Sequence, residues 1–159
     1  MADNPNHTPE PGPGGQSAVP LSTGLPNDLS NGQTAEDFKR MVADYMEAGY
    51  LENIVALMRA DKSALKLIPV LAADHRPRVR IGAAALVESL IDEMRPDIRA
   101  TASLFQPTIE NPEPTVQADA VYILSIIGGA EALRMLRYAS GSPHPLVRKA
   151  ALEAIEEIV

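Results

Sequence analysis

The sequence predicts an all-α fold: a right-handed α-solenoid of about four stacked helix pairs behind a disordered leader. Three observations carry that expectation. A proline-centred block occurs three times along the chain, at offsets of 37 and then 31 residues. From Phe38 onward, apolar residues fall at helical spacing. The composition also changes abruptly near Thr34, from a Pro/Gly-rich stretch to an apolar, charge-bearing one.

Residues 1–33 hold six of the fourteen prolines and five of the ten glycines, with only Asp3, Glu10 and Asp28 charged. Such a stretch buries too little apolar surface to offset backbone ordering, about 1–2 kcal/mol per residue, so it is expected to be disordered. The Gly12 to Gly15 cluster does not read as a phosphate loop, because no strand precedes it, no helix follows and no lysine is near. A weakly apolar stretch from Val19 to Leu29 is a possible docking segment.

The folded region is expected over residues 34–159, with helix pairs at about 34–61, 63–93, 96–128 and 130–159. Thr34 and Asp37 have the spacing of an N-terminal capping box. Phe38, Met41, Val42, Tyr45 and Met46 then form one helical face, and Gly49 can end that helix in a left-handed turn. Leu51, Ile54, Val55 and Met58 repeat the pattern in a second helix that stops near Asp61.

Three segments then align without gaps: Leu67 to Arg80, Leu104 to Gln117 and Met135 to Arg148. Pro77, Pro114 and Pro145 coincide, and proline is tolerated at the first position of a helix, where its missing N–H would have no partner. Three residues earlier stand Asp74, Asn111 and Ser142, short side-chain acceptors suited to capping N–H groups of a turn. Val79, Val116 and Val147 share a column, as do Ala83, Ala120 and Ala151, and Leu90, Ile127 and Ile158. These columns lie on one helical face, aimed at the first helix of the pair, and alanine there lets two axes approach to about 8 Å. Arg80, Gln117 and Arg148 form a polar column beside them, which predicts a hydrogen-bonded ladder.

The run Leu71-x-x-Asp74-x-x-x-x-Val79-Arg80-x-x-Ala83 resembles the HEAT repeat, in particular the short phycobilisome-lyase-type variant. The resemblance covers residues 63–159 in three units, with residues 34–61 as a divergent N-terminal cap. It implies an Asp74–Arg80 ion pair bridging repeats, although the Asn111/Gln117 and Ser142/Arg148 equivalents cannot continue it. It also implies a scaffold or adaptor, since such repeats specify architecture rather than one activity.

On the second helices, one stripe is Ile81, Ala85, Glu88 and Asp92. Its equivalents are Ala118, Tyr122, Ser125 and Gly129, then Lys149, Glu153 and Glu156. Spacings of 4, 3 and 4 keep each set on one face, away from the Val–Ala–Leu face. Stacked stripes of this kind make extended binding surfaces, so Tyr122, Glu88, Asp92, Lys149, Glu153 and Glu156 are expected to meet a protein or peptide. Tyr122 is the leading anchor, an aromatic on a polar stripe. Arg76 and Arg78 form a second candidate, because guanidinium forks suit carboxylates and phosphates. The last helix is apolar over more than half its circumference (Val147, Ala150, Ala151, Leu152, Ala154, Ile155, Ile158 and Val159), which points to partner docking or a homodimer through that end.

Signals for chemistry are few. Cysteine is absent, so disulfides, thiol nucleophiles and thiolate metal sites are excluded. His7, His75 and His144 form no ligand spacing, and Asp92-Glu93 and Glu156-Glu157 fall on polar helix faces, so no metal, cofactor or catalytic residue is expected. The net charge of −7 disfavours nucleic acid. No apolar run reaches the roughly 20 residues of a membrane span, and no secretory signal stands out, so a cytoplasmic location without membrane contact is expected. Two alternatives follow from resemblance alone: a tetrapyrrole lyase or chaperone-type subunit, and a DNA-contacting solenoid similar to HEAT-like alkylpurine glycosylases.

Overall fold

The computed structural model describes residues 32–158, and among them every regular element is helical. The leader lies outside the described residues apart from Gly32 and Gln33, and so does Val159. The first pair is α1 (Gly32–Glu47) and α2 (Leu51–Ala60). The second is a 3-10 turn (Lys62–Lys66) running into α3 (Leu67–Ala72), followed by α4 (Pro77–Ala100). The third is a 3-10 turn (Ala102–Phe105) with α5 (Gln106–Ile109), then α6 (Pro114–Ile127). The fourth is α7 (Gly129–Ala139) and α8 (Pro145–Ile158). The all-helical, sequentially paired fold expected from the sequence is what forms.

Helix α1 begins at Gly32, two residues before Thr34, so the box expected at Thr34 and Asp37 does not start it. Its other end follows the glycine rule. Gly49 has φ 92°, Tyr50 N–H donates to Tyr45 C=O at 2.9 Å and Gly49 N–H to Met46 C=O at 3.1 Å. This is a Schellman termination, and the apolar contact that accompanies it is present as the tilted Tyr45–Tyr50 ring pair, 5.5 Å between centroids. In α4, Gly82 lies against Met46 of α1, and a Cβ there would press on the Met46 terminal methyl and force that side chain to shift.

The repeated turn is built the same way three times. Asp74 Oδ1 accepts from Arg76 N–H at 2.9 Å, Asn111 Oδ1 from Glu113 N–H at 2.9 Å, and Ser142 Oγ from His144 N–H at 3.2 Å. Arg76 and Glu113 are extended (ψ 119° and 115°), as a following proline demands, and Pro77 and Pro114 then open their helices. The columns behind the prolines are core, except that Ile158, at the end of α8, is only partly buried. Val79, Ala83, Leu90, Ala120, Ile127, Val147 and Ala151 are all 0 % exposed and Val116 5 %. Each fully buried Val, Leu or Ile contributes roughly 1.5–3 kcal/mol. The second helices α4, α6 and α8 pack each on the next, with α1 and α2 against α4.

Two departures have plain causes. The first helices of the second and third pairs are broken into 3-10 and short α segments, where Pro69 and Pro107 each remove a backbone donor. Helix α4 runs on past its pair, but Met94 (φ −128°, ψ 31°) kinks it two residues before Pro96, which begins the next pair.

The polar column forms a ladder, with different partners from those expected. Arg80 does not meet the Asp74 carboxylate. Its Nη1 donates to the Asp74 backbone C=O at 2.8 Å, and its Nε reaches Asp119 Oδ2 on α6 at 2.8 Å. Asp74 is instead held by its turn neighbour Arg76, at 3.0 Å through Nε. The later rungs copy the backbone contact: Gln117 Nε2 donates to Ile109 C=O at 2.8 Å and Arg148 Nη1 to Ser142 C=O at 2.8 Å. Of these three rungs, Arg80 alone also ties its repeat to the next by an ion pair. Replacing Arg80 by Ala is therefore expected to lower the unfolding free energy by roughly 2–3 kcal/mol, and Arg148 by Ala by about 1. Urea unfolding of both variants measures this, and equal losses would mean that the Asp119 rung adds nothing.

Candidate functional site: the second-helix face

The six charged and aromatic residues expected to meet a partner are solvent-exposed on the second helices. Glu88 and Asp92 on α4, Tyr122 on α6, and Lys149, Glu153 and Glu156 on α8 are all exposed, with Ala85, Ala118 and Ser125 half-buried between them; Gly129, expected on the same stripe, instead opens α7, a first helix, because α6 stops at Ile127. The packing of α4 on α6 and of α6 on α8 brings the three sets side by side. Tyr122 does more than lie on the face. Its hydroxyl donates to Glu88 Oε1 across the α4–α6 boundary, while the side chain stays 51 % exposed. Ser125 Oγ donates to Tyr122 C=O at 2.6 Å beneath it.

The charges are mostly acidic and only locally balanced. Asp92 pairs with Arg95 at 3.2 Å, and Lys149 approaches Glu153 at 3.9 Å along α8. Two large apolar side chains share the face with Tyr122. Ile81 is 66 % exposed on α4, and Leu146, one turn before Lys149 on α8, is 70 % exposed. Sequence reasoning placed Ile81 on the stripe without weighting it and missed Leu146. The available signal was its column, which holds the polar Arg78 and Thr115 in the other repeats.

The two arginines separate. Arg76 is committed within the chain, with Nη1 2.9 Å from Asp44 Oδ1 and Nε 3.0 Å from Asp74 Oδ1, linking the second pair's turn to α1. Its bonds to Asp74 and then to Asp44 raise its pKa further. Burial pushes the Asp74 carboxyl up, but the bonds from Arg76 outweigh it and hold it below its ordinary value. Arg78 is exposed, three residues before Ile81, with its guanidinium close to Gly49.

Elsewhere a cleft of about 210 Å³ opens between α1 and α3, lined by Lys39, Arg40, Val70 and Arg76 among others. It is smaller than the roughly 300–1,000 Å³ of ordinary ligand pockets. Among the described residues no group of three or more His, Cys, Asp or Glu is arranged to hold a metal ion, and no helix is long and apolar enough to cross a membrane.

The Tyr122–Glu88 bond has a titration signature. The hydrogen bond to the Glu88 carboxylate, and then its charge, favour the protonated phenol and raise its pKa. Any stability from this bond is complete below the ordinary phenol range, near pH 10, and is lost as pH rises through the raised value. In ultraviolet titration, with the absorbance change of Tyr122 isolated by difference against Tyr122→Phe, Glu88→Gln is expected to move its ionisation down towards the ordinary value. No movement would mean that the contact is not made in solution.

The family profile described as HEAT repeats matches residues 64–156, more than half of the chain and the three repeat units that follow the first pair. No curated protein and no solved structure matches the chain. With three turns of one design, their buried columns and this match in agreement, the chain belongs to the HEAT repeat family.

Proposed function

We propose that this chain is a non-catalytic adaptor or scaffold module that binds a protein or peptide along the face lined by its second helices. HEAT repeats generally serve as protein-interaction scaffolds, which supplies the class of function. The observation that carries the choice of face is three large apolar side chains, Ile81, Tyr122 and Leu146, left exposed on three adjacent second helices amid carboxylates. A half-exposed tyrosine already fixed by one hydrogen bond loses little freedom on binding, which suits an anchor. Glu88, Asp92, Glu153 and Glu156 outnumber Lys149 on the stripe, which favours a basic partner segment and disfavours nucleic acid. Of the two arginines, Arg78 extends this surface and Arg76 supports the turn behind it. A cytoplasmic setting belongs to the same reading, as does the finer resemblance to phycobilisome-lyase-type repeats, which rests on the Leu71 to Ala83 pattern alone.

A separate contact, self-association through α8, is favoured by a different observation: Leu152 is 53 % exposed on that helix.

The test of the face is capture from lysate with the tagged chain, with and without residues 1–33, against Tyr122→Ala and a Glu88→Lys/Glu156→Lys double variant. Tyr122→Ala is expected to weaken capture by about 2 kcal/mol, a typical anchor loss, and the charge reversal to reduce it as strongly. Undiminished capture by both variants would place the partner on another surface.

A further inference from the structure

The repeats can be compared position by position on the side that each second helix turns to the next. In α4 that stripe is Arg80, Ala84 and Val87, and in α6 it is Gln117, Val121 and Leu124. Both are covered by the following helix: Val87 and Leu124 are 0 % exposed and Val121 2 %. The same columns in α8 hold Arg148, Leu152 and Ile155. Leu152 is 53 % exposed, and Ile155 is only partly buried. Arg80 gives its Nε to Asp119 of the next repeat, whereas among the described residues Arg148 has backbone acceptors only, Ser142 and Pro143.

We propose that a second copy of this chain covers the α8 face, its α8 packing antiparallel about a two-fold axis that passes between Leu152 and Glu153. This rests on the self-association reading above and adds the partner's orientation. The order of charge along α8 decides that orientation. Arg148 and Lys149 occupy its first half, and Glu153, Glu156 and Glu157 its second. A parallel neighbour would set like charges beside one another. The antiparallel two-fold sets Lys149 of each copy opposite Glu156 of the other, with the two Leu152 side chains meeting at the centre. Such an interface is isologous and closes on itself. Head-to-tail addition is disfavoured because α1 and α2 present Glu36, Asp37, Arg40, Asp44 and Glu52 to solvent, groups that Leu152 could not bury against without cost.

About 100° separates successive residues on a helix, so Lys149 and Glu156 lie on the same flank of the Leu152 stripe. The two-fold brings that flank of both copies to one side. The second-helix face of one chain then continues into that of the other, doubling the length of surface open to a partner.

Sedimentation equilibrium of the full chain from low micromolar to about 100 µM tests this. The wild-type chain is expected to dimerise and Leu152→Asp to be monomeric throughout, with unchanged helical circular dichroism because that side chain lies outside the core. Lys149→Glu and Glu156→Lys are each expected to weaken the dimer about tenfold, and the two together to restore it. A wild-type monomer at every concentration would overturn this arrangement together with the self-association reading beneath it. A dimer indifferent to Leu152→Asp would move the contact off α8 and overturn both as well. A dimer broken by Leu152→Asp but not recovered in the double charge swap would overturn the antiparallel arrangement alone.

Discussion

A proline without a backbone N–H, set three residues after a short side-chain acceptor, is the constraint on which this structure depends. The acceptor at 74, 111 or 142 turns the chain by taking the N–H two residues on, and the proline that follows is itself the first residue of the helix. Because proline fixes where the second helix begins, it fixes which residues of that helix face inward. The valine two places on and the alanine six places on are thereby committed to the core in every repeat. A helix begun one residue later would rotate the buried face by about 100° and turn those columns away from their partners.

The polar column next to that face shows how the same start is reinforced. A long donor three residues after each proline returns to a carbonyl of the turn that preceded the helix: Arg80 to Asp74, Gln117 to Ile109 and Arg148 to Ser142. Turn carbonyls have no intrahelical partner, so a side chain that reaches them satisfies groups that would otherwise be desolvated at a loss. Arginine and glutamine both have the length for it, which is why the column tolerates a change in charge. The inter-repeat pair Arg80–Asp119 is an addition at one level of the stack, since the Asp119 column holds Gly82 and Ala150 elsewhere.

The stacking leaves part of each second helix uncovered. Burial consumes one side of each second helix, and the side next to it carries acids with exposed Ile81, Tyr122 and Leu146. The Tyr122–Glu88 bond couples two repeats across that face, so a ligand placed there would touch a surface whose parts are mutually held.

Much of this could be read from residue order alone, and the reason is range. Capping, proline starts and glycine stops act over two to five residues, so Asp74, Pro77 and Gly49 declared their roles in the sequence; the φ of Gly49 (92°) is a local matter. The buried columns were legible because one period of the helix relates them. Partners chosen by stacking were not. Arg80 pairs with the carboxylate of Asp119, 39 residues away, rather than with that of Asp74, and Arg76 finds Asp44, 32 residues away. Those pairings depend on how far each pair is displaced on the last, which the kink at Met94 and the broken first helices adjust. Leu146 was likewise an ordinary leucine in sequence, and Leu152 stood out only as part of the wide apolar surface of the last helix. Only the packing of α8, covered by α6 on one side and by nothing described on the other, separates them from the core they resemble.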